Sequence, residues 1–182
     1  MESVIISAVK GNLLDSMINS IHKGDDKMSK NQIMAPVNGQ TISLSELKDV
    51  VFASKMLGDG IAIIPADGKI VSPVNGKVAS VAEGKHAYSF LTEDGVNVLI
   101  HVGLETFMLK GDGFKVFVKN GDEVRVGDLV AEVNLEFLKE KGISLETPVI
   151  VSGEDVSERI VDIVSDAAEV KAGATAIITL EA

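Results

Sequence analysis

The stretch Ala87-Tyr88-Ser89-Phe90-Leu91-Thr92-Glu93-Asp94-Gly95-Val96-Asn97-Val98-Leu99-Ile100-His101 decides the fold. Two apolar-rich runs flank Thr92-Glu93-Asp94-Gly95, which reads as a tight turn, so the stretch predicts a β-hairpin. The same pattern extends outward in both directions. Short runs such as Ile61-Ala62-Ile63-Ile64 and Leu129-Val130-Ala131-Glu132-Val133 alternate with the turn signals Asn38-Gly39, Asp67-Gly68, Asn75-Gly76, Asn120-Gly121 and Gly127-Asp128. Many short strands with regular turns predict an all-β sandwich or barrel of short antiparallel strands, not a βαβ sheet. Two helical turns are expected, at residues 45–50 and 135–141.

An internal repeat predicts duplicated halves. Ala35-Pro36-Val37-Asn38-Gly39-Gln40-Thr41-Ile42-Ser43-Leu44 matches Ser72-Pro73-Val74-Asn75-Gly76-Lys77-Val78-Ala79-Ser80-Val81. A weaker pair is Glu123-Val124-Arg125-Val126-Gly127-Asp128 with Glu169-Val170-Lys171-Ala172-Gly173-Ala174. Two copies are too few for a solenoid. Proline at a strand start and Asn-Gly at a turn follow from backbone geometry, so the repeat belongs to the fold and not to a ligand site.

The first residues follow another pattern. Ile6, Val9, Leu13, Leu14, Met17, Ile18 and Ile21 recur at helical spacing over residues 1–22, and Gly24 with the polar run to Asn31 reads as a linker. The expected division is therefore a helix and linker over 1–31 and a β domain over 32–182. The helix is expected to pack on the body or on another chain. Its few basic residues make it at most a weak membrane anchor. His22, in its last turn, complements the helix dipole and is given no function.

Composition narrows the function classes. The chain has 182 residues and no Cys, which excludes disulfides, a thiolate nucleophile and a Cys-based zinc site. A formal net charge of -10 opposes non-specific binding to nucleic acid or to anionic membrane. No apolar run approaches the roughly 20 residues that span a bilayer. No secretory signal pattern is present, and a cytoplasmic location is expected.

His86 and His101 bracket the hairpin. If it is symmetric about the point between Glu93 and Asp94, the two are cross-strand partners with Cβ atoms roughly 4.5–5.5 Å apart. A bulge at Gly95 would shift the register by one. Two imidazoles at that distance resist taking two protons, so one stays neutral as a base, nucleophile or metal ligand. The strand leaves His101 through Val102-Gly103-Leu104-Glu105-Thr106, where backbone N–H groups are expected near the imidazole. Val50, Val51, Phe52, Met56, Leu57, Tyr88, Leu99 and Phe107 are apolar residues clustered along this part of the sequence. Those exposed around the histidines would form a docking patch; taken singly, each is more often core.

At this point a family resemblance carries the reading further. Asp49-Val50-Val51-Phe52-Ala53, Gly58-Asp59-Gly60-Ile61-Ala62-Ile63-x-Pro65, Ser72-Pro73-Val74-x-Gly76 and His86-Ala87-Tyr88-Ser89 occur in order. They are followed by Gly95-Val96-x-Val98-Leu99-Ile100-His101-Val102-Gly103-Leu104-Glu105-Thr106 and Leu109-x-Gly111-x-Gly113-Phe114. From about residue 32 to 180 the chain resembles the glucose-type enzyme IIA of the bacterial phosphoenolpyruvate-dependent sugar phosphotransferase system. The resemblance implies a duplicated all-β fold and a phosphotransferase component acting in sugar transport. It implies that His101 accepts phosphate from the histidine phosphocarrier protein and passes it to a cysteine of a permease IIB domain. It also implies that His86 stabilises the phosphoryl group, and that Asp49 and Glu105 lie near the docking face. No resident cofactor is expected; zinc enters only between chains, held by His86, His101 and a partner's carboxylate. One position departs from the family pattern, which has Thr where Gly84 stands. That hydroxyl would orient the imidazole of His86, and Lys85 or a backbone group freed by Gly84 is the candidate substitute.

Other classes fit less well. A biotin- or lipoyl-type carrier shares the Gly121–Asp128 pattern but needs an exposed hairpin Lys that has no clear candidate. A zinc peptidase needs further ligands that His101-Val102-Gly103 lacks. A regulatory protein that binds targets according to its phosphorylation state is the remaining alternative, and it is compatible with relay.

Overall fold

The computed structural model describes residues 31–182. The expected helix over 1–22, His22 and the linker up to residue 30 lie outside the described residues. Fourteen strands follow in chain order among those described: β1 (Gln32–Met34), β2 (Gly39–Ile42), β3 (Asp59–Pro65), β4 (Lys69–Val71), β5 (Gly76–Val81), β6 (Ala87–Leu91), β7 (Asn97–His101), β8 (Phe114–Val116), β9 (Glu123–Val124), β10 (Leu129–Val133), β11 (Thr147–Ser152), β12 (Ile160–Ile163), β13 (Glu169–Val170) and β14 (Ala176–Leu180). Three short helices interrupt them: α1 (Val50–Ala53), α2 (Leu135–Glu140) and α3 (Val156–Arg159). No helix among the described residues is long and apolar enough to cross a membrane.

The strands form one eight-stranded sheet, ordered β13-β2-β3-β11-β7-β6-β5-β9, and two three-stranded sheets, β1-β14-β12 and β4-β10-β8. Every pairing is antiparallel. One apolar core unites them. It takes Ile33, Ile178 and Leu180 from one small sheet, Ile70, Phe114 and Val130 from the other, and Ile61, Val78, Tyr88, Phe90, Val98, Ile100 and Val149 from the long one. The all-β sandwich expected from the strand and turn pattern is the architecture found.

The repeat shapes this architecture. The strand order reads as two equivalent sets of four meeting between β11 and β7. The two Pro-Val-Asn-Gly segments bond reciprocally: Met34 N–H donates to the Pro73 carbonyl at 2.9 Å, and Val71 N–H to the Pro36 carbonyl at 2.8 Å. Each asparagine serves the weaker repeat of its own half. Asn38 Oδ1 accepts from Ala172 N–H at 2.8 Å, and Asn75 Oδ1 from Val126 N–H at 2.9 Å. Asn75→Ala should therefore cost about 1–3 kcal/mol by leaving a partly buried N–H unpaired. Thermal or denaturant unfolding checks this.

The helical turns differ from expectation in one place. The turn expected at 45–50 is divided into a 3-10 turn at Leu44–Glu46 and helix α1. Leu47 is extended, and Asp49 starts the helix anew as its N-cap, its carboxylate accepting from Val51 N–H at 2.9 Å. Helix α2 lies where the second turn was expected. Helix α3 and the 3-10 turn at Thr106–Leu109 carry no strong sequence signal.

Candidate active site

His101 ends β7, near the middle of the long sheet. Side chains alternate along β7, so Val98 and Ile100 enter the core while Leu99 and His101 take the other face. The hairpin register corrects the symmetric expectation: His101 lies opposite Ala87, not His86. The connecting loop runs from Thr92 to Val96, with Gly95 at φ +83°. Thr92 N–H donates to the Val96 carbonyl at 2.9 Å, and its Oγ1 accepts from Val96 N–H at 3.0 Å. The left-handed glycine adds the residue that shifts the register.

His86 therefore stands just before β6, in a turn where Lys85 is left-handed at φ +60°. The turn still brings the imidazoles together. Their centroids are 5.0 Å apart, edge to face at 70°. Phe52 of α1 closes on His101 from the other side, with centroids 5.1 Å apart.

The backbone after His101 sets its tautomer. Gly103 is left-handed at φ +70°, and a Cβ there would stand 2.7 Å from Thr106 Cγ2 and 2.9 Å from the Ser144 carbonyl. Only glycine fits this bend. It turns the Gly103 carbonyl onto His101 Nδ1 at 2.7 Å. A carbonyl accepts only, so Nδ1 carries the proton and Nε2 keeps its lone pair. A carbonyl thus stands against the ring where backbone N–H groups were expected.

Burial is the main influence on the His101 pKa and lowers it; His86 lowers it further. The bond to Gly103 and the Asp49 carboxylate act the other way, and the net position is below the ordinary 6.5. A nucleophilic His101 is neutral and reactive above its pKa. The acid limb of any acceptance rate that depends on it should therefore lie below pH 6.5. A pH–rate profile checks this.

The apolar candidates separate into walls and rim. Val50, Val51, Met56, Leu57 and Phe107 are exposed, Val50 and Met56 by 73% and 74%. Met108, exposed by 63%, joins them and was not anticipated. Asp49 and Glu105 lie on the same two segments, the first half-buried and the second exposed. Phe52 is buried, so it forms the wall behind His101 and not the rim. Leu99 is half-buried against a small apolar cluster that includes Phe52 and Ile150. Tyr88 has to be removed from the docking patch. It is fully buried on the core face, and its hydroxyl donates to the Lys85 carbonyl, bracing the turn that carries His86.

Neither expected substitute for the missing threonine hydroxyl reaches His86. Its Nδ1 is buried without a partner, and the Lys85 stem lies toward Gly111 instead. Among the described residues no three His, Asp or Glu side chains converge as a metal site. The histidine pair could supply at most two of the four ligands that zinc takes, and a partner would have to supply the rest.

Known proteins resemble the chain over most of its length. The family described as phosphoenolpyruvate-dependent sugar phosphotransferase system, EIIA 1, matches residues 31–156. The chain is 42% identical over 166 residues to the glucose-specific EIIA component of Halalkalibacterium halodurans, covering 87% of this chain and 95% of that one. It is 40% identical over 141 residues to a glucose-specific EIICBA component of Staphylococcus saprophyticus, covering 78% of this chain and 21% of that longer protein. The solved glucose permease IIA from Mycoplasma capricolum superposes with a TM-score of 0.74 at 36% identity, covering 81% of this chain and 93% of the other. An all-β scaffold of duplicated halves and a conforming sequence over most of its length lead to one conclusion: the chain belongs to the EIIA 1 family of the phosphoenolpyruvate-dependent sugar phosphotransferase system and carries phosphoryl groups for sugar uptake.

Proposed function

We propose that His101 is the phosphoacceptor and that Nε2 is the atom that carries the phosphate. The observation behind this is the Gly103 carbonyl on Nδ1 at 2.7 Å, which leaves the Nε2 lone pair free on a neutral ring. The donor is the histidine phosphocarrier protein. As Nε2 attacks phosphorus, the P–N bond to the donor's histidine breaks and the electron pair returns to that nitrogen. In the second step a IIB cysteine thiolate attacks phosphorus, the P–Nε2 bond breaks, and His101 regains its lone pair. Such transfers ask mainly for in-line placement and charge stabilisation. His86 is adjacent for the second task, as a hydrogen-bond donor to the phosphoryl oxygens. Phe52 and the apolar rim keep water from the phosphoramidate.

Both partners dock over the same rim, formed by Val50, Val51, Met56, Leu57 and Phe107, with Leu99 at its floor. Asp49 and Glu105 meet basic residues on them. The relatives' names make glucose the first sugar to test, and the setting is the cytoplasm, where residues 32–182 act as the carrier domain. Regulatory targets that read the phosphorylation state would use this same face. Val51→Glu should raise the KM for the IIB partner about tenfold or more by placing a charge in the apolar patch, with the circular dichroism spectrum unchanged.

Phosphate mapping tests the central assignment. The chain is incubated with enzyme I, the phosphocarrier and phosphoenolpyruvate, and the product is examined by 15N and 31P NMR. Phosphorus coupled to Nε2 of His101 is expected. Phosphate on another residue, or on Nδ1, would overturn the proposal.

A further inference from the structure

Between His101 and the exposed rim residues Phe107 and Met108 runs a bend that ends on a buried hydroxyl. Thr106 is fully buried, and its Oγ1 donates to the Val102 carbonyl at 2.8 Å. Its Cγ2 fills the space beside Gly103, 2.7 Å from where a Cβ there would stand. A threonine inside a helix commonly returns its hydroxyl to the carbonyl four residues back. The residues between are not helical here. Gly103 is left-handed at φ +70°, Glu105 at φ +62°, and the 3-10 turn begins only at Thr106. The hydroxyl therefore closes a loop around Gly103.

The other anchors of the bend come from outside it. Val102 N–H donates to the His86 carbonyl at 2.8 Å, and Leu104 N–H to the Ser144 carbonyl at 3.0 Å. One peptide unit thus bridges Ser144 and His101. Its N–H end, at Leu104, meets Ser144, and its carbonyl end, at Gly103, meets Nδ1 at 2.7 Å. Glycine rotates more freely than any other residue, so the aim of that carbonyl needs holding. A non-glycine residue in the left-handed region, such as Glu105, persists only where its surroundings over-determine it. Glu105 makes no side-chain cap of its own. With the peptide before Gly103 held by Thr106 and the peptide after it held by Ser144, both torsions of Gly103 are set.

We infer that Thr106 is a positioning residue for His101: by holding the peptide before Gly103, its hydroxyl aims the Gly103 carbonyl at Nδ1. The methyl group fills the space that the glycine leaves. The inference rests on the reading of His101 as the phosphoacceptor through Nε2. It adds that the aim is set by a hydroxyl whose partner is a backbone carbonyl and not the ring. Without that hydroxyl the Val102 carbonyl loses its donor and Gly103 regains its freedom. The Gly103 contact favours the protonated ring, so weakening it should move the titration of His101 to lower pH. The neutral ring should then carry its proton on either nitrogen.

Thr106→Val, Thr106→Cys and Thr106→Ser in the full chain test it. In 15N spectra of the unphosphorylated chain with both histidines neutral, wild-type His101 should be protonated on Nδ1. Thr106→Val should show a second population protonated on Nε2. It should also accept phosphate about 10- to 100-fold more slowly at saturating phosphocarrier, the scale of a small misplacement of a reacting group. The acid limb of its pH–rate profile should lie lower than that of the wild type. Thr106→Ser keeps the hydroxyl and should recover most of the rate together with the wild-type tautomer. Thr106→Cys offers only a weak S–H donor and should fall between, and it carries the test if Thr106→Val does not fold. A wild-type tautomer and acid limb in the valine variant, or in the cysteine variant where that one stands in, would overturn the inference. So would a serine variant as impaired as the valine one. The spectra contain no partner protein, so disturbance of the rim at Phe107 and Met108 does not imitate the result. If wild-type His101 is itself protonated on Nε2, the reading of the acceptor atom fails and the inference fails with it. Wild-type protonation on Nδ1 with unmoved variants sinks the inference alone.

Discussion

His101→Ala is expected to take up no acid-labile phosphate from labelled phosphoenolpyruvate, enzyme I and the phosphocarrier, while remaining folded. The two halves of this expectation have separate grounds. Loss of label follows from chemistry, because alanine offers no lone pair and the neighbouring imidazole has its Nδ1 buried. Retention of the fold follows from where the side chain points. His101 lies on the face opposite the core residues Val98 and Ile100, and its own contacts are the Phe52 and His86 rings and the Gly103 carbonyl. Freeing that carbonyl costs about 1–3 kcal/mol at most. The melting temperature should therefore fall by about 2–4 °C per kcal/mol, the scale for domains of 150–250 residues. Label that persists in the variant would place the acceptor elsewhere. A variant that fails to fold would show that the histidine has a structural task in addition.

The second large effect is expected at His86. His86→Gln should still accept phosphate but pass it on about 10²- to 10³-fold more slowly, the loss typical of a preorganised donor aimed at developing charge. Glutamine keeps an N–H donor but not the ring. It cannot stand edge to face with His101 as the imidazole does at 70°. Under the proposed relay acceptance is less sensitive, since the incoming donor protein would bring its own histidine and His101 would need only its Nε2 lone pair. Single-turnover rates for the two half-reactions separate the effects. Equal slowing of both would make His86 a general structural support, and unchanged onward transfer would remove it from the mechanism.

Much of this was legible in the residues. The hairpin around Asp94-Gly95, the duplicated Pro-Val-Asn-Gly segments and the pairing of His86 with His101 are local patterns, and local patterns survive into structure. The register did not follow, because it depends on whether Gly95 adopts a left-handed conformation in a five-residue loop. Tyr88 could have been placed correctly. It sits opposite Ile100, one residue from His101, and so belongs with Phe90 on the core face by strand alternation alone. The patch was drawn from apolar character without applying that alternation. The Gly103 carbonyl lies deeper, because it is a backbone atom whose position depends on a contact distant in sequence, with Ser144 behind Gly103.

The central position of β7 bears on synthesis. One side of β7 pairs with β6, but the other pairs with β11, where Ile100 meets Val149. Leu104 is held by the carbonyl of Ser144, and Gln40 of β2 waits for Glu169. A nascent chain that has emerged only as far as its hairpin thus has both histidines but no seat for them, with β7 an open edge. Competence arrives late in elongation, after β11 has been added. Prematurely terminated products ending before Thr147 would contain His86 and His101 in sequence yet stand outside the relay, neither draining phosphate from the donor nor competing for the permease.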